Sequence, residues 1–253
     1  MSKQMLNEKT FANVETYQPI TIPGRPDAPA PPATMTVNGT IGRAFFLLIL
    51  AVSMGAVGWS YGDQMSGTVW TVMLVGLLAL FGLSILTAFK PKLAPLTGPV
   101  YAVVMGFWAG AISFGYNELY PGIVMQAMFA TFAVFAVCLI FYLTGLVKVT
   151  DRFVRVVIVA TGGIFVMYLA AIVMQLFGVN VTFLDSPSPL GIGLSVVICI
   201  VAALNLFIDF RWIDEGAKAG APKYMSWYSA FALLATLIWL YLEILRLLSK
   251  IRS

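Results

Sequence analysis

The 253-residue chain contains no histidine. That absence removes zinc proteases, histidine-ligated haem and serine–histidine hydrolysis, each of which needs an imidazole as ligand or base. Charged residues make up only 10% of the chain, against about 25% in a soluble domain. So few charges cannot cover the surface of a globule in water, which excludes a water-soluble enzyme. Cysteine is scarce as well. Cys138 and Cys199 both lie inside apolar stretches, where a free thiol serves as a small hydrophobe, so packing is expected of them rather than redox or metal chemistry. No GxxxxGK[ST] phosphate loop occurs, which argues against a nucleotide-driven pump. No lysine falls between Lys223 and Lys250, so the last apolar stretch offers no buried amine for a Schiff base. The net charge of +4 is spread over the connections and does not form a nucleic-acid surface. Neither an enzyme nor a resident cofactor is expected.

What the chain has in abundance is uninterrupted apolar sequence. Seven charge-free stretches run Ala44–Gly62, Ser66–Phe89, Leu93–Asn117, Gly122–Val147, Val156–Val179 (continuing to Leu184), Ser186–Ile208 and Tyr224–Leu242. Each has 19 residues or more, and about 20 apolar residues on a helix cross the hydrocarbon of a bilayer. The reading is an all-α membrane protein with seven transmembrane helices, in one domain over residues 41–253. Residues 1–40 differ. Six of the 13 prolines fall between Pro19 and Pro32, a composition that favours extended, solvated chain, and no apolar core of a secretory signal precedes Ala44. This segment reads as a disordered, proline-rich tail. The remaining prolines sit at or near the junctions between apolar stretches, where a missing amide donor costs least.

Lysine and arginine set the orientation. Lys3, Lys9, Arg25 and Arg43 precede the first stretch, Lys90 and Lys92 follow the second, Lys148, Arg152 and Arg155 follow the fourth, and Arg211, Lys218 and Lys223 follow the sixth. The alternate connections hold only Asp63, Glu118 and Asp185. The positive-inside rule therefore puts the amino terminus in the cytoplasm. Arg246, Lys250 and Arg252 at the carboxyl end run against this pattern, and they leave open whether the last helix crosses or turns back. On the third stretch Ala102, Gly106 and Gly110 recur every fourth residue, a small-residue face that admits a close neighbouring helix. Gly162, Gly163, Gly191 and Gly193 offer similar faces.

Two acids interrupt apolar helices: Asp209 in LNLFIDFRW and Glu243 in WLYLEILRLL. A charge within hydrocarbon costs about 2.5–3.5 kcal/mol on insertion scales, so neither is expected to face lipid unpaired. Asn205 lies one turn before Asp209, and Arg246 lies three residues after Glu243, close enough for support within each helix. Two arrangements fit this spacing. Glu243 is neutralised by Arg246 while Asp209 marks a helix end beside Arg211, or the two acids face each other and share a proton because close carboxylates cannot both ionise cheaply.

The blocks FYLTGLVKVTDRFVRVVIVATGG, AALNLFIDF and GAPKYMSWYSAFALLATLIWLYLEILRLLSK, with LTGPVYAVVMGFWAGAIS and YPGIVMQAMFAT before them, resemble the bacterial, YccA-like branch of the transmembrane Bax inhibitor motif family. The resemblance covers residues 41–250 and implies six helices around a central seventh, in the inner cell membrane. It implies a pH-sensitive cation leak, calcium above all, gated by a carboxylate pair between helices six and seven. Asp209 and Glu243 match the two carboxylate positions, with glutamate where the family more usually has aspartate; they would also be the oxygen ligands that a passing calcium ion meets. The family's arginine on the second helix has no counterpart within the second stretch, and Lys90 at its end is the nearest substitute. Two other functions stay open: a YccA-like regulator of membrane-protein quality control that works with a membrane protease, and a proton-coupled transporter using the same acids.

Single cysteines at Ser2 and Ser253, in a chain lacking Cys138 and Cys199, are expected to react with an impermeant thiol reagent from opposite sides of the membrane. Labelling from one side would show that the last helix turns back.

Overall fold

The computed structural model describes residues 34–63, 69–178 and 186–253. The tail up to position 33 and Asp185 lie outside them. Seven α-helices account for nearly all of the described chain: α1 (Val37–Tyr61), α2 (Val69–Phe89), α3 (Ala94–Leu119), α4 (Ile123–Leu143), α5 (Asp151–Leu176), α6 (Pro189–Lys218) and α7 (Tyr224–Arg252). A 3₁₀ turn, Pro91–Leu93, leads into α3. Six of the helices are long and apolar enough to cross a bilayer; the corresponding part of α2, Val75–Phe89, is shorter. With large apolar side chains such as Phe45, Phe129 and Val166 exposed on the outside, the chain is a multi-pass integral membrane protein in contact with lipid.

Helix ends follow local capping chemistry rather than the limits of the charge-free stretches. α1 starts seven residues before Ala44 because the Thr36 hydroxyl accepts from the Gly39 amide at 3.1 Å, as N-caps do. The bundle thus begins before residue 41. Met35 is already buried and its amide donates to the Ala221 carbonyl at 2.6 Å. Thr150 caps α5 through Phe153, with Asp151 in the first turn, where a negative charge favours the helix dipole. Ser188 caps α6 and Pro189 opens it, as suits a residue with no amide to donate. α6 continues ten residues beyond Ile208, carried by the i,i+4 pairs Arg211–Glu215 and Lys218–Asp214. Pro99 falls inside α3, near its start.

The interior has two main clusters. Leu47, Ala51, Tyr101, Ala102 and Met105 pack with Ala230, Phe231, Leu234 and Ile238 of α7. Ile123, Ala127, Leu206, Phe207 and Phe210 pack with Leu233, Leu240, Ile244 and Leu245, also of α7. α7 therefore serves both cores, and it packs against α1, α3, α4 and α6. It is one unbroken helix. Its start lies by Pro222, which pairs with Thr34. At its other end Arg252 donates to the Pro121 carbonyl and to Gln126, so α7 runs the whole length of the bundle from the α6–α7 connection to the α3–α4 connection.

The small-residue face of α3 meets α1. A Cβ at Gly106 would lie 2.2 Å from the Ala51 carbonyl oxygen, one at Gly110 2.0 Å from that of Gly55, and one at Gly58 2.1 Å from that of Phe107. The two backbones touch, so only glycine fits. Gly162, Gly163 and Gly193 differ: nothing lies within 4 Å of a Cβ there, and the packing role expected of them is not found. Gly110→Ala is expected to destabilise the protein by about 1–3 kcal/mol through overpacking. Gly162→Ala should be neutral or stabilising by up to about 1 kcal/mol, because alanine is the better helix former. Thermal unfolding in one detergent reads both; equal effects would show that the α1–α3 contact does not limit stability.

Candidate functional site

Every third or fourth residue along the second half of α7 is polar or amphipathic: Thr236, Trp239, Glu243, Arg246 and Lys250. Steps of three and four keep them on one face. That stripe meets α5 and α6, and it contains the most deeply placed charges of the described chain.

Glu243, only 2% exposed, is held by three side chains. The Tyr168 hydroxyl of α5 donates to both carboxylate oxygens, at 2.9 and 3.0 Å. The Trp239 indole N–H donates to Oε1 at 3.1 Å, and Arg246 Nη1 lies 3.2 Å from either oxygen. Arg246 also hydrogen-bonds the Tyr168 hydroxyl and stacks over its ring, 5.0 Å from the centroid. A buried charge pair tolerates its desolvation only when further hydrogen bonds fill the remaining sites, and Tyr168 and Trp239 fill those of Glu243. Two turns along, the buried Lys250 donates to the Gly191 carbonyl at 3.1 Å and to Ser195 Oγ at 2.7 Å. Its ammonium joins α7 to the start of α6.

Asp209 occupies a separate site. It is buried on α6 beside the Thr236 side chain of α7, and its Oδ2 has no hydrogen-bond partner. The carboxylate pair expected between the two helices is therefore not in contact: Glu243 pairs with Arg246, and Asp209 meets Thr236. The reason is register. α6 and α7 run antiparallel, so Asp209 stands level with Thr236, and the seven residues from Thr236 to Glu243 add about 10 Å along the axis. Nor does Arg211 neutralise Asp209. Its guanidinium turns to Asp151 and Glu215, both at 2.6 Å, and to the Val149 carbonyl at 2.9 Å, fastening the start of α5 to the end of α6. Asn205, on the turn before Asp209, faces α5 and donates to Thr161 at 2.8 Å. Lys90 lies exposed at the end of α2 and pairs with neither carboxylate.

The arrangement thus has two parts on one helix interface. Near the middle of α7, level with Thr236, is a buried acid without a counter-charge. Two turns further towards the carboxyl end is an acid locked by a tethered cation. Among the described residues no three histidine, cysteine, aspartate or glutamate side chains gather as a metal cage would. Cys138 packs in the core with its thiol 3.8 Å from the Ala203 carbonyl, while Cys199 lies near Glu243, Arg246 and Lys250. Sequence reading missed Tyr168, Trp239, Thr236, Lys250 and Ser195. The three-and-four spacing on α7 was there to be seen, whereas nothing in the α5 sequence distinguishes Tyr168 from an interfacial anchor.

Arg246→Met is expected to destabilise the protein by about 3–5 kcal/mol, because it strands the Glu243 charge in the interior. Adding Glu243→Gln should recover most of that loss, since glutamine keeps a carbonyl acceptor for Tyr168 and Trp239. Thermal unfolding of both variants checks this, and a double variant no more stable than the single one would mean that Arg246 acts through packing alone.

Comparison with curated proteins returns no match. The family model described as Bax inhibitor 1 like matches residues 2–253, and the chain belongs to that family.

Proposed function

We propose that this Bax inhibitor 1 like protein is a pH-sensitive cation leak channel of the inner cell membrane, with seven spans, a central α7 and a cytoplasmic amino terminus. The reading rests on one observation above all. Asp209 is buried between α6 and α7 with one carboxyl oxygen unpartnered, at the only level of that interface where the described chain places an acid without a cation beside it. Such a group is tolerated while neutral, but an ionised carboxylate without a partner carries a large desolvation penalty. Loss of its proton therefore pushes α6 from α7 and admits water and cations along the stripe.

The polar groups met there would be the Asp209 carboxylate, the Thr236 hydroxyl and, once Arg246 moves off it, the Glu243 carboxylate. Oxygen donors of this kind suit a hard cation, which makes calcium the favoured ion. Calcium enters as cargo rather than as a resident cofactor, and no chemical conversion of a substrate is involved. The gate differs from the shared-proton pair implied by resemblance: Asp209 senses pH, and the Glu243–Arg246 pair sets how firmly the other half of the interface is closed. Family membership and the buried acid support this reading together. A regulatory role beside a membrane protease, or proton-coupled transport, would have to account for the same buried acid.

The sign follows from the charge states. Neutral Asp209 corresponds to the closed interface and ionised Asp209 to the open one, so flux rises with pH. In liposomes holding the purified protein and a calcium indicator, wild-type leak should increase from acidic to alkaline buffer. Asp209→Asn should flatten the profile at its low level. A wild-type profile retained in Asp209→Asn would sink the sensor. Absence of any flux would favour the regulatory role, and saturable exchange of one solute would favour the transporter.

A further inference from the structure

A cavity of about 400 Å³ lies on the opposite side of α7 from the charged stripe, between α1 and α4, with α3 and α7 as its floor. Leu48, Val52 and Ala56 form one wall and Met128 and Phe132 the other, with Tyr241 beneath. It is open sideways: Val52 and Phe132, at its mouth, are 52% and 45% exposed, on helices whose outer faces lie in hydrocarbon.

We infer that this crevice holds one acyl chain of a phospholipid from the leaflet at the α3–α4 end of the bundle. Length is the first argument. The α1 wall extends from Leu48 to Trp59, and eleven residues rise about 16 Å, close to half of the roughly 30 Å hydrocarbon thickness. The slot therefore reaches from one interface to about the midplane, the span of one leaflet's chain. Width is the second. A volume of about 400 Å³ over that length leaves about 25 Å² in section, far too narrow for a helix about 10–12 Å across. Polarity is the third. The hydroxyls that line the slot are already paired within the protein: Ser113 with Tyr241 at 2.6 Å, and Thr131 with the Ala127 carbonyl at 2.7 Å. An apolar cavity whose few polar groups are satisfied does not hold water. Gly55, Gly106 and Gly110, where α1 touches α3, also line it.

The floor distinguishes a seated chain from ordinary boundary lipid. Full-length protein in nanodiscs is irradiated with a phosphatidylcholine bearing a diazirine midway along one acyl chain, and adducts are mapped by mass spectrometry. Adducts are expected on Leu237 and Tyr241 of the floor, several-fold above those on Val159 and Val166, which are more exposed but lie on the outer face of α5. Ala56→Phe, which fills the mouth, should reduce the Tyr241 adduct several-fold while leaving Val166 labelled. Val52→Trp gives the same readout if the first variant folds poorly. Labelling confined to Val159, Val166 and other exposed positions would overturn the proposal. So would floor labelling obtained from a diazirine fatty acid but not from the phospholipid, or an adduct pattern unchanged by both fillings.

Discussion

Charge placed on a helix that cannot reach water is the constraint on which the rest of this structure depends. α7 brings Glu243, Arg246 and Lys250 into the bundle on one face. Buried charges survive only with partners, so the neighbouring helices are committed by them. Tyr168 fixes the rotation of α5 towards Glu243 and Arg246, and Gly191 with Ser195 fixes the start of α6 against Lys250. These contacts set the antiparallel register of α6 and α7. That register in turn decides that Asp209 arrives beside Thr236 and not beside Glu243. Asp209 and Glu243 thus occupy two sites made unequal by helix geometry.

The other side of α7 obeys a different rule. There it offers Ala230, Phe231, Leu234 and Ile238 to α1 and α3, which are themselves joined by glycine-mediated backbone contact. In hydrocarbon, helices gain little from hiding apolar surface and associate instead through close packing and hydrogen bonds. α7 uses both means: its buried charges are held by polar contacts to α5 and α6, while Ala230, Phe231, Leu234 and Ile238 pack closely on α1 and α3. Glycine serves closeness here: where α1 meets α3 it lets the backbones touch. Under the proposed function the interface with the unpaired acid is the one that opens, since protonation changes its energy and leaves the glycine contact untouched.

Much of this was legible in the sequence because it is a matter of composition and local chemistry. Charge scarcity and apolar length announced a helical membrane protein, and the Ala102, Gly106 and Gly110 spacing announced a close helix contact. Asp209 and Glu243 stood out because an acid in an apolar helix has few acceptable environments. The Glu243–Arg246 pair was legible too, since it lies within one helix and needs no tertiary contact. Helix ends were read less well, because Thr36 and Ser188 act through capping geometry that hydropathy does not register. The glycines of α5 misled for a related reason: a small residue permits a close neighbour but does not supply one.

By itself, then, the sequence determined what the helices are, roughly where they run, and which side chains could not be left alone. All three are properties of single helices in a medium without water, fixed by transfer energies and spacing along the chain. Only the tertiary structure decided which partners those side chains meet. The rotation and register of one helix against another depend on contacts distributed over several elements, Tyr168 on α5, Ser195 on α6 and Ala221 before α7 among them. A shift of two turns along α7 separates an acid pair from two isolated acids, and no spacing within a single helix encodes that shift.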